Sequence, residues 1–413
     1  MNAQPAVDFN LATLPPQGDR LLQELNRLRE SDPLYWSEAS QCWIVTGHAE
    51  VMEGLSGTLQ LSSTHIPMSL YRTVGPEEFP QRLPNTLRYM SRILPNLDGD
   101  DHARIRKLLI KAFSRKVVEE VRPFVRERVA RLLDMAANQR ALEFNEGIAR
   151  QLPGAVILRL LGMDDRYFSR LQGWTNAVTL ALTSFNPQVQ WLDELEKAVI
   201  DMNNVFRAEI EQRRRHPGND LTSAMVHAVD GGDRLSMDEM LGAMNLIIVA
   251  GHDTTLNSMS LGVRALARHP EAWAEWRAHP ERGVEASIEL MRYVAMATAL
   301  PRIVSRDFEW RGRQLRQHQL VILTMAGGNR DPRAFDAPEK LDLSRPNDNS
   351  LTFGPGLHHC IGHMLAKMQM SEFFGALTQQ FDGVEILEEP QFLHNFVFRG
   401  VSGLKLRFLP RIS

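Results

Sequence analysis

The segment between Ser236 and Pro270 constrains the fold most. Ser236-Met237-Asp238-Glu239 is a capping box, in which Ser and Glu satisfy each other's free backbone N–H groups at a helix start. His269-Pro270 closes the pattern, because the residue before proline avoids helical backbone. The spacing predicts a helix over Met237–Arg268, about 48 Å long at the α-helical rise. From Met240 to Ala250 only Asn245 is polar. A helix that is apolar nearly all round must be buried, so the rest of the chain has to wrap it.

The remaining pattern fits that demand. A short helix is expected around Leu21–Leu28, and helical periodicity dominates from Asp98 to about Ala297. Arg213–Arg215 before His216-Pro217-Gly218 read as a solvated helix C-terminus. Strand-like segments stand at Pro33–Trp36, Cys42–Thr46, Gln319–Met325 and Asn395–Arg407. Between His65 and Leu97 lie Pro67, Pro76, Pro80, Pro84 and Pro95, which predict a long irregular connection. No repeat and no separating linker appears, so residues 1–413 are expected to form a single domain, mainly α with a minor β portion.

Composition excludes several classes. With 43% hydrophobic and 23% charged residues the bulk is not disordered. A net charge of −3 argues against a nucleic-acid binder. Two cysteines, Cys42 and Cys360, make no disulfide framework, as expected in a reducing compartment. The first residues lack a signal-peptide pattern, and the apolar run Leu246–Ala250 is too short to span a bilayer. The expectation is a soluble cytoplasmic protein without a membrane anchor.

Phe353-Gly354-Pro355-Gly356-Leu357-His358-His359-Cys360-Ile361-Gly362 is the most informative stretch. Its glycines permit turns and close approach of another group. A helical pattern follows at once through Ile361, Met364, Leu365 and Met368, extended by Phe374, Leu377 and Phe381. Cys360 is therefore expected at a helix N-terminus, where the dipole lowers a thiol pKa and favours the nucleophilic or metal-ligating form. A buried inert cysteine, a zinc site or a cysteine hydrolase using His358 or His359 remains open on these residues alone.

The stretch resembles the haem-binding signature of the cytochrome P450 family at Phe353, Gly354, Gly356, His358, Cys360 and Gly362. The resemblance covers nearly the whole chain. It implies the P450-type fold, with haem b between the long central helix and the C-terminal Cys loop. Cys360 would be the axial thiolate and His358 a propionate donor. His102 and Arg106, at i, i+4, resemble the family's haem-contacting helix, and Arg302 a further propionate contact. Glu289-x-x-Arg292 with Arg345 resembles its structural ion cluster. Ala250-Gly251-His252-Asp253-Thr254-Thr255 resembles the oxygen-binding kink, with Asp253 and Thr254 as an acid–alcohol pair that moves protons.

The implied activity is a monooxygenase hydroxylating a hydrophobic small molecule, with terpenoids and steroids as the expected classes, using O2. The implied electron donors are a ferredoxin and an NAD(P)H-dependent ferredoxin reductase. Lys107, Lys111, Arg115, Lys116 and Lys367 would flank the docking side. By the same resemblance the pocket draws on Leu246, Val249, Ala250, Thr298, Leu300, Val397 and Phe398, with Tyr89, Met90 and Leu94 from the proline-rich connection. Arg72, Arg82, Arg88 and Arg92, set against Glu77 and Glu78, raise an acidic substrate group as an option. Alternatives are desaturation or C–C coupling in the same fold, or a non-enzymatic haem-binding protein.

Overall fold

The computed structural model describes residues 9–11, 18–64, 73–183, 188–393 and 396–411. The capping box forms: Ser236 Oγ accepts from the Glu239 N–H at 3.3 Å, and Glu239 Oε2 accepts from the Ser236 N–H at 2.8 Å. Such a cap contributes about 1 kcal/mol. The central helix spans Met237–Ala267, with Arg268 as its cap. Helices Gln151–Leu161, Phe168–Thr183, Val189–Arg215, Gly283–Val294 and His363–Gln380 pack against it. Small residues let them approach closely. A Cβ on Gly251 would lie 2.5 Å from Ile157, and one on Gly262 would lie 2.7 Å from Phe374.

The β portion is a five-stranded mixed sheet in the order Leu34–Ser37, Cys42–Val45, Leu320–Leu323, Leu300–Val304, Leu61–Ser62. Strand Leu300–Val304 pairs antiparallel with Leu320–Leu323, with Arg302 opposite Val321. Leu300 and Arg302 therefore share one face of that strand. The sequence pattern does not reveal it, because Pro301 and Arg302 interrupt the apolar alternation.

Other expectations need correction. The first helix is longer, Asp19–Ser31. The helix after the Cys loop ends at Gln380, and Phe381 opens strand Phe381–Glu388. There the cross-strand pairs Val384 with Phe408 and Ile386 with Leu406 decide the conformation rather than helical spacing. The Asn395–Arg407 strand is instead two pieces, Val401–Ser402 and Lys405–Pro410, and Asn395 lies outside the described residues. The proline-rich connection is helical at Phe79–Arg82, Pro84–Met90 and the 3₁₀ turn Leu94–Asn96, with turns and irregular backbone between them and at Pro76, while His65, Pro67 and Arg72 fall outside the described residues. Pro80, Pro84 and Pro95 occupy first-turn positions, where a missing N–H costs nothing. Among the described residues no helix is long and apolar enough to cross a membrane.

Candidate active site

The Cys loop is folded by its own backbone. The Cys360 N–H donates to the Phe353 carbonyl at 2.9 Å, and the Gly354 N–H to Leu351 at 2.9 Å. Gly354 and Gly356 have φ of 65° and 84°. A Cβ on Gly356 would lie 2.1 Å from the Leu55 carbonyl oxygen, so only glycine closes the loop here. The next helix starts at His363, with Gly362 as N-cap. Cys360 thus precedes the helix start instead of occupying it. Its side chain is exposed, yet protein surrounds it closely enough that burial pushes the thiol upward. The Gly362 N–H, Arg106 and Lys367 pull the other way without prevailing. The expected lowering by the helix dipole does not occur in the protein alone. The thiolate form at Cys360 would be favoured by a bound metal ion.

Basic groups gather beside this loop. The His102 and His358 rings lie 4.1 Å apart. His102 is buried, and its Nε2 has no partner among the described residues. Burial, with His358 and Arg106 nearby, pulls its pKa down to about 4. Arg106 Nη2 donates to the His359 carbonyl at 2.6 Å, tying helix Gly99–Ala112 to the Cys loop. Arg302 is 6% exposed, and burial lowers its pKa to about 10. Its hydrogen bond runs to its own neighbour, the Pro301 carbonyl, at 2.8 Å. Among the described residues no carboxylate comes within ion-pair distance of Arg302.

Asp98 organises the cluster, and sequence reasoning passed it over. It lies 3.6 Å from His358 Nε2 and accepts from the Ser63 and Thr64 N–H groups at 2.9 and 3.3 Å. Burial opposes its charge, but these bonds and that of Ser62 hold its carboxyl far below the usual range. The available signal was its place just before helix Gly99–Ala112. One carboxylate against two guanidiniums and two imidazoles leaves unpaired donors. This donor set fits a group with two carboxylates, as haem has, and Cys360 fits its metal.

The ion cluster expected from Glu289, Arg292 and Arg345 is assembled and fully satisfied. Arg292 holds Glu289 in a bidentate pair at 2.7 and 2.9 Å. Its other N–H groups reach the Asn329, Pro338 and Lys340 carbonyls at 2.7, 2.9 and 3.1 Å. Arg345 Nε adds a bond to Glu289 at 3.2 Å.

In the central helix the Thr254 hydroxyl donates back to the Ala250 carbonyl at 2.5 Å. This is the bond by which threonine bends helices. Asp253 turns elsewhere: one oxygen lies 2.7 Å from His252 Nδ1, and the other accepts from the Thr179 hydroxyl on helix Phe168–Thr183. The acid and the alcohol are adjacent in sequence but bonded to different partners.

The Thr298 N–H donates to the Val397 carbonyl at 2.9 Å, and Ala297 bridges Phe398, so two of the expected pocket segments meet. Leu300 faces the Cys loop near Gly354. Leu246, Val249 and Phe398 are half-buried. Tyr89, Met90 and Leu94 are buried in the helical core. The arginines raised for an acidic substrate are partly engaged already: Arg82 pairs with Asp193 and Glu78, and Arg88 with Asp238. Lys107 and Lys111 both hold Asp230 at 2.6 Å, and Lys116 lies 3.9 Å from Glu120, so much of the expected docking charge is neutralised internally.

Comparison with known proteins agrees with this architecture. The cytochrome P450 family model matches residues 75–281 and 284–399. The 6-deoxyerythronolide B hydroxylase of Saccharopolyspora erythraea is 30% identical over 372 residues, covering 88% of this chain and 90% of its own. The nocardicin C N-oxygenase of Nocardia uniformis subsp. tsuyamanensis is 32% identical over 353 residues, covering 85% and 84%. The crystal structure of P450BioI, in complex with an acyl carrier protein ligated to hexadec-9Z-enoic acid, superposes with a TM-score of 0.86 at 25% identity, covering 94% of this chain and 98% of that one. With the Cys loop, the basic cluster and the central helix arranged as above, the chain belongs to the cytochrome P450 family and is a monooxygenase of that family.

Proposed function

We propose that residues 1–413 form one haem b monooxygenase domain that hydroxylates a hydrophobic small molecule in the cytoplasm. The observation supporting this reading is the set of hydrogen-bond donors beside Cys360, in which the buried Arg302 has no carboxylate within ion-pair distance among the described residues and the buried His102 Nε2 has no partner among them. In it Cys360 would ligate the iron, with Phe353 and Gly354 shaping the loop. His102, Arg106, Arg302 and His358 would hold the two propionates. Haem, when bound, supplies the activation of dioxygen by two electrons and two protons, with one oxygen atom passing to the substrate.

The chain's own residues would then do three things. Leu246, Val249, Ala250, Thr298, Leu300, Val397 and Phe398 would hold the substrate and exclude water. Thr254 would keep a hydroxyl available on the central helix, releasing the Ala250 carbonyl when it donates elsewhere. Asp253 would accept a proton at a carboxylate oxygen and hand it on. Electrons would come from a ferredoxin and its NAD(P)H-dependent reductase. The 6-deoxyerythronolide B and nocardicin C in the relatives' names join the terpenoids and steroids expected from the apolar lining as substrate classes to search. The test is a panel of steroids and 6-deoxyerythronolide B read by ferric spin-state change, followed by turnover under labelled dioxygen. One labelled oxygen in the product is expected. A spin-shifting ligand that is converted without label, for example to a desaturated product, would replace hydroxylation by that reaction.

A further inference from the structure

His252 has no part in the relay just described, yet it is fully buried in the central helix. Side chains at i and i+1 of a helix normally diverge, but His252 Nδ1 lies 2.7 Å from Asp253 Oδ1. Gly154 of helix Gln151–Leu161 makes room for the ring: a Cβ there would lie 3.4 Å from His252 Cδ2 and 2.7 Å from Phe168. The other ring nitrogen, Nε2, is buried and has no partner among the described residues. A hydrogen on Nδ1 makes the contact with the carboxylate attractive and leaves Nε2 as a bare lone pair. A hydrogen on Nε2 would leave a buried donor unpaired and set a lone pair against a carboxylate oxygen. The contacts therefore select the Nδ1–H tautomer.

Asp253 is thus held by two donors of different kind. Thr179 reaches it from helix Phe168–Thr183, so relative movement of the two helices separates them. His252 belongs to the same helix as Asp253 and travels with it. We infer that His252 is a positioning residue for proton delivery. It anchors one oxygen of Asp253 while the other exchanges Thr179 for the relay. This rests on the proton-relay reading of Asp253, and the test separates the two.

The experiment uses haem-loaded wild type, His252→Phe, His252→Asn and Asp253→Asn. Electrons come from a plant ferredoxin and its reductase without added organic substrate. NADPH consumption is followed in H2O and in D2O. His252→Phe keeps the ring volume and removes both nitrogens, and consumption should fall about tenfold with a larger solvent isotope effect. His252→Asn restores a donor near Nδ1 and should recover most of the loss, which a merely structural role would not require. Wild-type rates and isotope effect in His252→Phe, with Asp253→Asn slowed, would overturn the inference and keep the relay. An unaffected Asp253→Asn would remove the relay itself. If His252→Phe fails to fold, His252→Leu takes its place: a slowed rate with a larger isotope effect, recovered in His252→Asn, supports the anchor, and a wild-type rate and isotope effect overturn it. Independently of turnover, ¹⁵N-histidine spectra of the ferrous carbon-monoxide form should show His252 with a protonated Nδ1 and a bare Nε2. The opposite tautomer would contradict the assignment.

Discussion

Two buried arginines lie in neighbouring parts of this molecule and behave oppositely. Arg292 is 1% exposed, and every N–H it carries has an acceptor, including both oxygens of Glu289. Arg302 is 6% exposed and bonds to the carbonyl of the residue before it. Burying a charge is costly unless it is paired. The first cluster is complete within the chain and can serve the fold. The second has no carboxylate within ion-pair distance among the described residues, and Asp98 acts on Arg302 only from further off, which leaves room for the anionic groups of the proposed haem. The difference separates structural from functional charge more sharply than burial, which the two share.

The comparison is broken most directly by removing one charge from each cluster. Glu289→Gln leaves Arg292 buried without its carboxylate and should cost about 3–5 kcal/mol of stability, read from denaturant midpoints. A midpoint close to wild type would mean that the cluster is not the internal brace described here. Arg302→Met should leave the midpoint of the haem-free protein unchanged or higher. Its effect should appear instead in haem affinity, weakened about 10–100-fold in transfer to apomyoglobin. Equal loss in both assays would erase the distinction.

Acid sharpens the contrast further. Burial holds the His102 pKa at about 4, against 6.5 for a free histidine. Between those values the unfolded chain takes up a proton at this side chain that the folded chain does not, so stability should fall as pH drops from about 6.5 towards 4. The haem-free His102→Gln variant should lose stability less steeply over that window, measured as urea midpoints at each pH. Parallel slopes would exclude His102 as the source. The smallest effect belongs to Arg345, at the edge of the structural cluster. Arg345→Lys forfeits its forked contacts to the Asp336 and Ala337 carbonyls and should cost about 1 kcal/mol in the same denaturant assay.

What could be read from the sequence followed from how local each signal is. Glu289 and Arg292 stand at i, i+3, so helical geometry alone brings them together. The capping box at Ser236 likewise needs four residues and no context. The Cys loop was legible as a motif, but its helix starts at His363, and the dipole argument for Cys360 failed because burial outweighs it. Arg302 was identified by resemblance, whereas its strand depends on pairing with Leu320–Leu323 and carries no periodic signal of its own. Pro80 and Pro84 looked like breakers because proline at a first turn and proline in a loop are the same letter. Asp98 and Thr179 were invisible for a different reason. Their importance lies in contacts with His358 and Asp253, far away along the chain.

The account rests on a thiolate bond from Cys360 to haem iron. The direct measurement is the absorption spectrum of the ferrous carbon-monoxide form in wild type, Cys42→Ser and Cys360→Ser. The strongly red-shifted Soret band of a thiolate-ligated haem should appear in wild type and Cys42→Ser, and be absent from Cys360→Ser. A thiolate-type band that survives in Cys360→Ser, or that is missing from haem-loaded wild type, would contradict it.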